Sequence, residues 1–293
     1  MIDIITVVFQ PELYYRKVQA RSIEQYTDSD KIGKIFVVVN DESSVCNLVD
    51  KSWWGKNQDK VVVYDRKHFG VNPRVPGWES QQYYKLACAN VAESAWSMVL
   101  DAKTWFIQPL NFSKVFDSAG RVCMGIHPTI PVFKPAEKFV EEYFKIESKE
   151  VIGPAGVPFF FSTSEMHALY QYLEDQGTNM FDFFTTNVLY PVHLTEFMFY
   201  SGWIKFKYDT LEYLYSREKP YEVTNIADFQ KLEFDQLFSI NMQQLNNLTV
   251  SLHRKVYPAL TDEQLTQWVN FLHSKNLIDD PIETFQLLNT NKC

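Results

Sequence analysis

Residues 34–43 read KIFVVVNDES. Five apolar residues, most of them β-branched, stop abruptly at Asn40, Asp41, Glu42 and Ser43. A continuous run of this kind suits a strand covered on both faces, as in a parallel sheet. Upstream, Ile2 to Phe9 (IDIITVVF) has the same character and ends at Gln10 and Pro11, and Leu13 to Tyr26 then carries apolar residues near helical spacing. Downstream, Lys60 to Tyr64 (KVVVY) stops at Asp65, Arg66, Lys67 and His68. A loop rich in Gly and Pro leads to a helix from Trp78 to Ala92, and a fourth strand runs from Trp96 to Leu100. This βαβαβαβ rhythm predicts a mostly parallel α/β sheet with right-handed crossovers.

The second half is mixed. Strands are expected at Arg121 to Ile126, Pro158 to Ser162 and Leu248 to Leu252. Helices are expected at Ser164 to Asp175, His193 to Trp203 and Thr261 to Lys275, the last begun by a Thr cap with Asp262 and Glu263 in its first turn. The weakest composition break, Ser216 to Tyr221, divides a main domain over residues 1–215 from a mainly helical C-terminal extension over 216–293 packed on the same core.

Composition narrows the function. The chain has 293 residues, 46% of them hydrophobic and 22% charged, which fits an ordinary globular protein. Asp and Glu total 36 against 28 Lys and Arg, a net charge of -8 that argues against nucleic acid as a general partner. No run reaches the roughly 20 apolar residues of a membrane span, and the N-terminus lacks the pattern of a secretion signal. Cys46, Cys88, Cys123 and Cys293 form no CxxC pair, so free thiols and a cytoplasmic location are expected.

In open α/β sheets, ligands bind beyond the carboxyl ends of the strands. The residues that close the strands are Asp41, then Asp65 with Arg66, then Asp101 with Lys103. Neither GxGxxG nor GxxxxGK[ST] occurs, which excludes the usual dinucleotide site and the P-loop. On the helix from Trp78, the residues Trp78, Gln81, Gln82 and Lys85 share one stripe beside an apolar one formed by Tyr83, Leu86, Ala87 and Val91. That polar stripe is either solvated surface or, with the helix N-terminus, an anion-binding face.

The segment VVVNDES (Val37 to Ser43) is similar to the second strand and acidic loop of family-2-like glycosyltransferases with the GT-A fold. Gly77 to Leu110 resembles a largely uncharacterised glycosyltransferase-like family. Its pattern is Gly-aromatic-x-x-Gln-Gln, then Lys-Leu, then a strand ending in Leu-Asp-Ala-Asp-Thr and an aromatic-x-x-Pro. HLTEFMFYSGWI (His193 to Ile204) and SLHRKVYPAL (Ser251 to Leu260) are similar to that family's Glu-containing helix and late His-Arg segment. The resemblance implies a GT-A-like sheet flanked by helices and transfer of a sugar from a nucleotide-sugar donor, UDP-linked, to a saccharide or other hydroxyl acceptor. It further implies donor contacts at Asp41, Gln81, Gln82, Lys85, Asp101 and Lys103, a general base at Glu196, and a Mn²⁺ or Mg²⁺ ion held by Asp101 and His253.

One departure stands out. Where the family has Asp-x-Asp, this chain has Asp101-Ala102-Lys103, an ammonium in place of the second carboxylate. As strand residues i and i+2, Asp101 and Lys103 are expected on one face. Either the lysine supplies positive charge itself, or the site is degenerate and the protein binds a nucleotide sugar or carbohydrate without catalysis. A nucleotidyltransferase would also want paired carboxylates and fits Lys103 no better. The 7 Trp, 16 Tyr and 23 Phe suit sugar stacking as well as core packing, and Trp53, Trp54, Trp78 and Trp203 are candidates for acceptor contact.

Overall fold

Every residue of strand β1 (Ile2–Val8) is buried, because β1 is the middle of a five-stranded sheet. A computed structural model describes residues 1–75, 77–124, 129, 131–147, 158–189, 192–226 and 247–290. β1 runs parallel to β2 (Ile32–Val39) on one side and to β4 (Trp96–Val99) on the other, with β3 (Val61–Asp65) parallel beyond β2. β7 (Phe159–Ser162) closes the far edge antiparallel to β4, giving the order β3-β2-β1-β4-β7. The expected parallel sheet is present, and its β-branched runs are the strands. Asp3, buried within β1, accepts hydrogen bonds from the Lys34, Glu93 and Ser94 amides at 2.7–2.9 Å. Its carboxylate is thereby satisfied at the amino edge of the sheet, opposite the carboxyl ends of the strands.

Helix α1 (Leu13–Tyr26) occupies the expected span, and α2 (Gly77–Asn90) begins one residue early. The link from β2 to β3 departs from the βαβ rhythm. It consists of 3₁₀ turns, Ser43–Leu48 and Lys51–Lys60, the second broken at Gly55, where φ is 46°. That left-handed φ favours glycine, and a Cβ there would also displace the Glu24 carboxylate of α1. The short helix α3 (Phe112–Val115) and the two-residue strand β6 (Val122–Cys123) come next. The strand expected to reach Ile126 lies partly outside the described residues. Then follow α4 (Lys134–Phe144), α5 (Thr163–Asp175), α6 (Met180–Asn187) and α7 (Glu196–Tyr208). α2 packs on β1 and is covered in turn by α5, α6 and α7.

A second sheet is built across the chain. β10 (Asn247–Leu252) lies between β5 (Thr104–Phe106), to which it is antiparallel, and β9 (Glu222–Ile226), to which it is parallel. β6 pairs separately with β8 (Tyr215–Ser216). Helices α8 (Asp262–Ser274) and α9 (Pro281–Thr290) follow β10. Thr261 and Gln264 form a reciprocal capping box at the start of α8, as the sequence leads one to expect. One hydrophobic cluster surrounds the five-stranded sheet; the other joins Trp268, Tyr257 and Leu265 to Trp105 of β5 and to Tyr15 and Val18 of α1. Among the described residues no helix is long and apolar enough to cross a membrane.

Candidate functional site

The chain reverses its order of strand addition at β1: β2 and β3 are laid down on one side, β4 on the other. The carboxyl ends of β1 and β4 at such a switch point are the usual ligand position in sheets of this kind. The turn after β4 holds Asp101 and Lys103. They meet, but not as strand neighbours: Thr104 N donates to Asp101 O at 2.9 Å, closing a turn. Gln19 of α1 braces this turn, its Nε2 donating to the carbonyls of Asp101 and Thr104.

Lys85 of α2 reaches into the same place. Its Nζ donates to Asp101 Oδ1 at 2.9 Å and to Glu196 Oε1 at 2.7 Å, and lies 5.3 Å from the Phe197 ring centre. Lys103 Nζ stands 3.4 Å from Asp101 Oδ2. Two ammonium groups and two carboxylates thus form one chain of charge: Lys103, Asp101, Lys85, Glu196. The sequence leaves Lys85 open to a reading as solvated surface; it is buried instead, against Glu196 and Phe197 of α7 and the Asp101 turn.

Burial alone would lower the Lys85 pKa, but Asp101 and Glu196 outweigh it and hold the ammonium form well above its ordinary range. Burial would likewise raise Asp101, yet Lys85 and Lys103 hold it well below the usual carboxylate range. At Glu196, burial wins over the pull of Lys85 and the pKa is raised. The difference follows from geometry. Asp101 faces two cations and keeps a side chain 25% exposed, whereas Glu196 faces one and is sealed. Its Oε2 has no hydrogen-bond partner among the described residues.

Glu12 was not singled out in the sequence, where Pro11 drew attention only as a strand breaker. It lies in the 3₁₀ turn Gln10–Glu12 that leads from β1 into α1, half-buried. Burial raises its pKa to about 7; Lys103, the strongest opposing charge, and Arg254 and Lys85 lower it, while Asp101 adds to the rise. A usable signal was available: Glu12 follows the first strand at the same sheet edge as Asp41 and Asp101.

The remaining candidates fall in three places. Asp41 closes β2, accepting from Glu42 N at 2.8 Å and from Gln10 N at 3.0 Å, which ties it to the turn that carries Glu12. Gln81 and Gln82 are not brought to the charged chain. Their amides donate back to Gly77 O at 3.4 Å and Trp78 O at 3.0 Å on their own helix. The N-terminus of α2 sits instead at the end of β2, where Asn40 Nδ2 donates to Gly77 O at 2.8 Å. Lys85, eight residues on, is about 12 Å further along the axis. His253 follows β10, and the pairing of Ser251 with Thr104 carries His253 and Arg254 to the level of the Asp101–Lys103 turn. His253 Nδ1 accepts from Lys255 N at 3.2 Å, and the Arg254 guanidinium lies 4.7 Å over the Phe9 ring. Among the described residues, no three His, Cys, Asp or Glu side chains gather as a metal site. Trp54 and Trp203 are core residues, Trp78 is 44% exposed, and Cys46, Cys88 and Cys123 are free thiols. Cys293 lies outside the described residues.

A family described as one of unknown function, DUF6492, matches residues 13–236. The chain belongs to that family. In this DUF6492 member the match spans Asp41, Lys85, Asp101, Lys103 and Glu196, while Glu12 and the His253–Arg254 segment lie outside it. No curated protein matches the chain. Among solved structures, it is similar to mouse xyloside xylosyltransferase 1 in its apo form, at 10% identity and a TM-score of 0.46, over 86% of this chain and 98% of that one. It is also similar to the galactosyltransferase LgtC in complex with donor and acceptor sugar analogues, at 12% identity and a TM-score of 0.48, over 97% of this chain and 100% of that one. An active-site mutant of LgtC gives 12% identity and a TM-score of 0.49, over 85% of this chain and 86% of that one.

Proposed function

We propose that this DUF6492 protein is a glycosyltransferase that moves a sugar from a UDP-linked donor to a hydroxyl acceptor. The observation that carries the reading is the chain Lys103–Asp101–Lys85–Glu196 at the switch point between β1 and β4. A departing nucleoside diphosphate gathers negative charge, and fixed cations in a shielded crevice stabilise it as it forms. Lys103 sits on the turn after β4, the charges of Lys103 and Arg254 both reach Glu12, and Lys85 is fixed by two carboxylates. Asp41, at the next strand end, is the donor contact that the sequence resemblance suggests for the nucleoside.

In this reading Glu196 is the buried partner that fixes Lys85. Glu12 is the half-buried carboxylate that feels Lys103 and Asp101, and a pKa of about 7 matches what a general base requires. The test is UDP release from a panel of UDP-sugars, with UDP binding measured by calorimetry. Turnover is expected to rise with pH through about 7. Glu12→Gln should lower it by roughly 100-fold, the usual scale for loss of a general base, while leaving UDP affinity within a few-fold. A wild-type protein that binds neither UDP nor any UDP-sugar ends this reading.

Lys103 favours a second one: a nucleotide-sugar-binding protein of the same fold that does not catalyse. It expects UDP binding without turnover, and turnover that emerges in Lys103→Asp with Mn²⁺.

A further inference from the structure

The Asp-x-Asp pattern that this chain resembles implies a divalent ion on the donor diphosphate, and the residues present do not fit one. Mn²⁺ and Mg²⁺ take oxygen ligands at close range in near-octahedral sets. Asp101 is the acidic residue left from the pattern, and both its oxygens face ammonium groups, Lys85 at 2.9 Å and Lys103 at 3.4 Å. Glu196, the nearest further carboxylate in the chain of contacts, is fully buried and gives its Oε1 to Lys85 at 2.7 Å. A dication at Asp101 would therefore meet two ammonium charges at contact distance, and among the described residues no three His, Cys, Asp or Glu side chains gather to hold it.

We propose that the site receives a nucleoside diphosphate without a divalent cation, the ammonium groups of Lys103 and Lys85 standing where the metal's charge would act. The proposal rests on the nucleotide-sugar reading of the same sheet edge and names how the diphosphate is held. Lys103 is the contact residue: its side chain is 20% exposed, it sits on the turn after β4 at the carboxyl edge of the sheet, and one carboxylate holds it loosely at 3.4 Å. Lys85, with 4% of its side chain exposed, supplies fixed positive charge from below. Arg254 adds a third cation nearby, its guanidinium laid on Phe9 and its charge felt by Glu12. Such cations are oriented before the ligand arrives, so their field needs little rearrangement when the phosphates enter.

The experiment is calorimetric titration of the full chain with UDP, once in EDTA and once in excess Mn²⁺. Affinities within about threefold of each other are expected, and Lys103→Ala should weaken binding in EDTA by about tenfold or more, as loss of one charge-assisted contact does. Because Lys103 is on a turn and partly exposed, that variant keeps the buried Lys85–Glu196 pair intact. Lys103→Asp should make UDP binding depend on Mn²⁺, and the variant should reduce the free Mn²⁺ signal in electron paramagnetic resonance where the wild type does not. UDP binding by the wild type only with Mn²⁺ overturns the metal-free site and leaves the nucleotide-sugar reading standing. Binding in neither condition overturns both. Lys103→Ala binding as tightly as wild type in EDTA removes Lys103 as the contact.

Discussion

Burial holds the Glu12 carboxyl at a pKa of about 7, against an ordinary 4.5. Between those values the folded chain keeps a proton that the unfolded chain has released. Stability therefore falls as pH rises through this window, since the native state is the one that binds more protons there. At about 1.4 kcal/mol per pKa unit, discounted for a half-exposed group, the loss is on the order of 2 kcal/mol. Urea unfolding at pH 5 and pH 8 should show Glu12→Gln gaining on the wild type by about that amount at the higher pH. A gap that stays constant with pH means that another group titrates. Lys85 presents the opposite problem. Lys85→Met strips the cation from two carboxylates, one of them fully buried, and a broken buried pair of this kind costs about 3–5 kcal/mol. Adding Glu196→Gln removes the stranded charge and should recover part of the loss in a double-mutant cycle. No recovery would mean that Glu196 already carries a proton in the native state.

At the scale of elements, the sequence was most readable where a single face or run determined the outcome. Leu13–Tyr26 was found to the residue, and Thr261 announced α8 through its cap. The stretch from residue 43 to residue 60 is not so readable, because it is broken at Gly55, where φ is 46°, and buries Trp54 against partners that local spacing does not reveal, α1 packing on it from elsewhere in the chain. The Lys85 stripe was ambiguous for the same kind of reason. Helical spacing places Lys85 beside Gln81, but only the second layer of helices decides that it is buried. Such a layer also fixes Gly202 of α7. A Cβ there would lie 2.2 Å from Val140 Cγ1 and 3.1 Å from the Phe144 ring of α4. Gly202→Ala should gain about 1 kcal/mol of helix propensity. The stiff branched Val140 cannot turn aside, however, and overpacking costs about 1–3 kcal/mol. Thermal melting is expected to show a net loss, relieved when Val140→Ala is added. A stabilised single variant would show that α4 and α7 move apart freely.

For the molecule as a whole, the sequence yielded the strand ends but not how they come together. Asp41 and Asp101 stood out because apolar runs stop there. Arg254 stood out only by resemblance, since what brings it to Asp101 is the antiparallel pairing of β10 with β5, more than a hundred residues apart in the chain. That pairing makes the C-terminal segment part of the site's support and not an ornament on it. Trp105, fully buried on β5 next to the Asp101–Lys103 turn, donates from Nε1 to Tyr15 O at 3.1 Å and packs with its ring centre 5.5 Å from that of Trp268. Removing residues 216–293 would uncover Trp105, Tyr15 and Val18 and leave β5 without its partner strand. A buried aromatic of this size contributes roughly 4–5 kcal/mol at about 25 cal/mol per Å². Two such residues and their neighbours then match most of the 5–15 kcal/mol that a domain typically has. A chain ended at residue 215 is therefore expected to lose cooperative unfolding in urea and to bind an exposed-hydrophobe dye, with its far-ultraviolet signal partly retained. A sharp transition at the full-length midpoint would show instead that the five-stranded sheet folds as a unit of its own, and that the cluster around Trp105 rests on it without sustaining it.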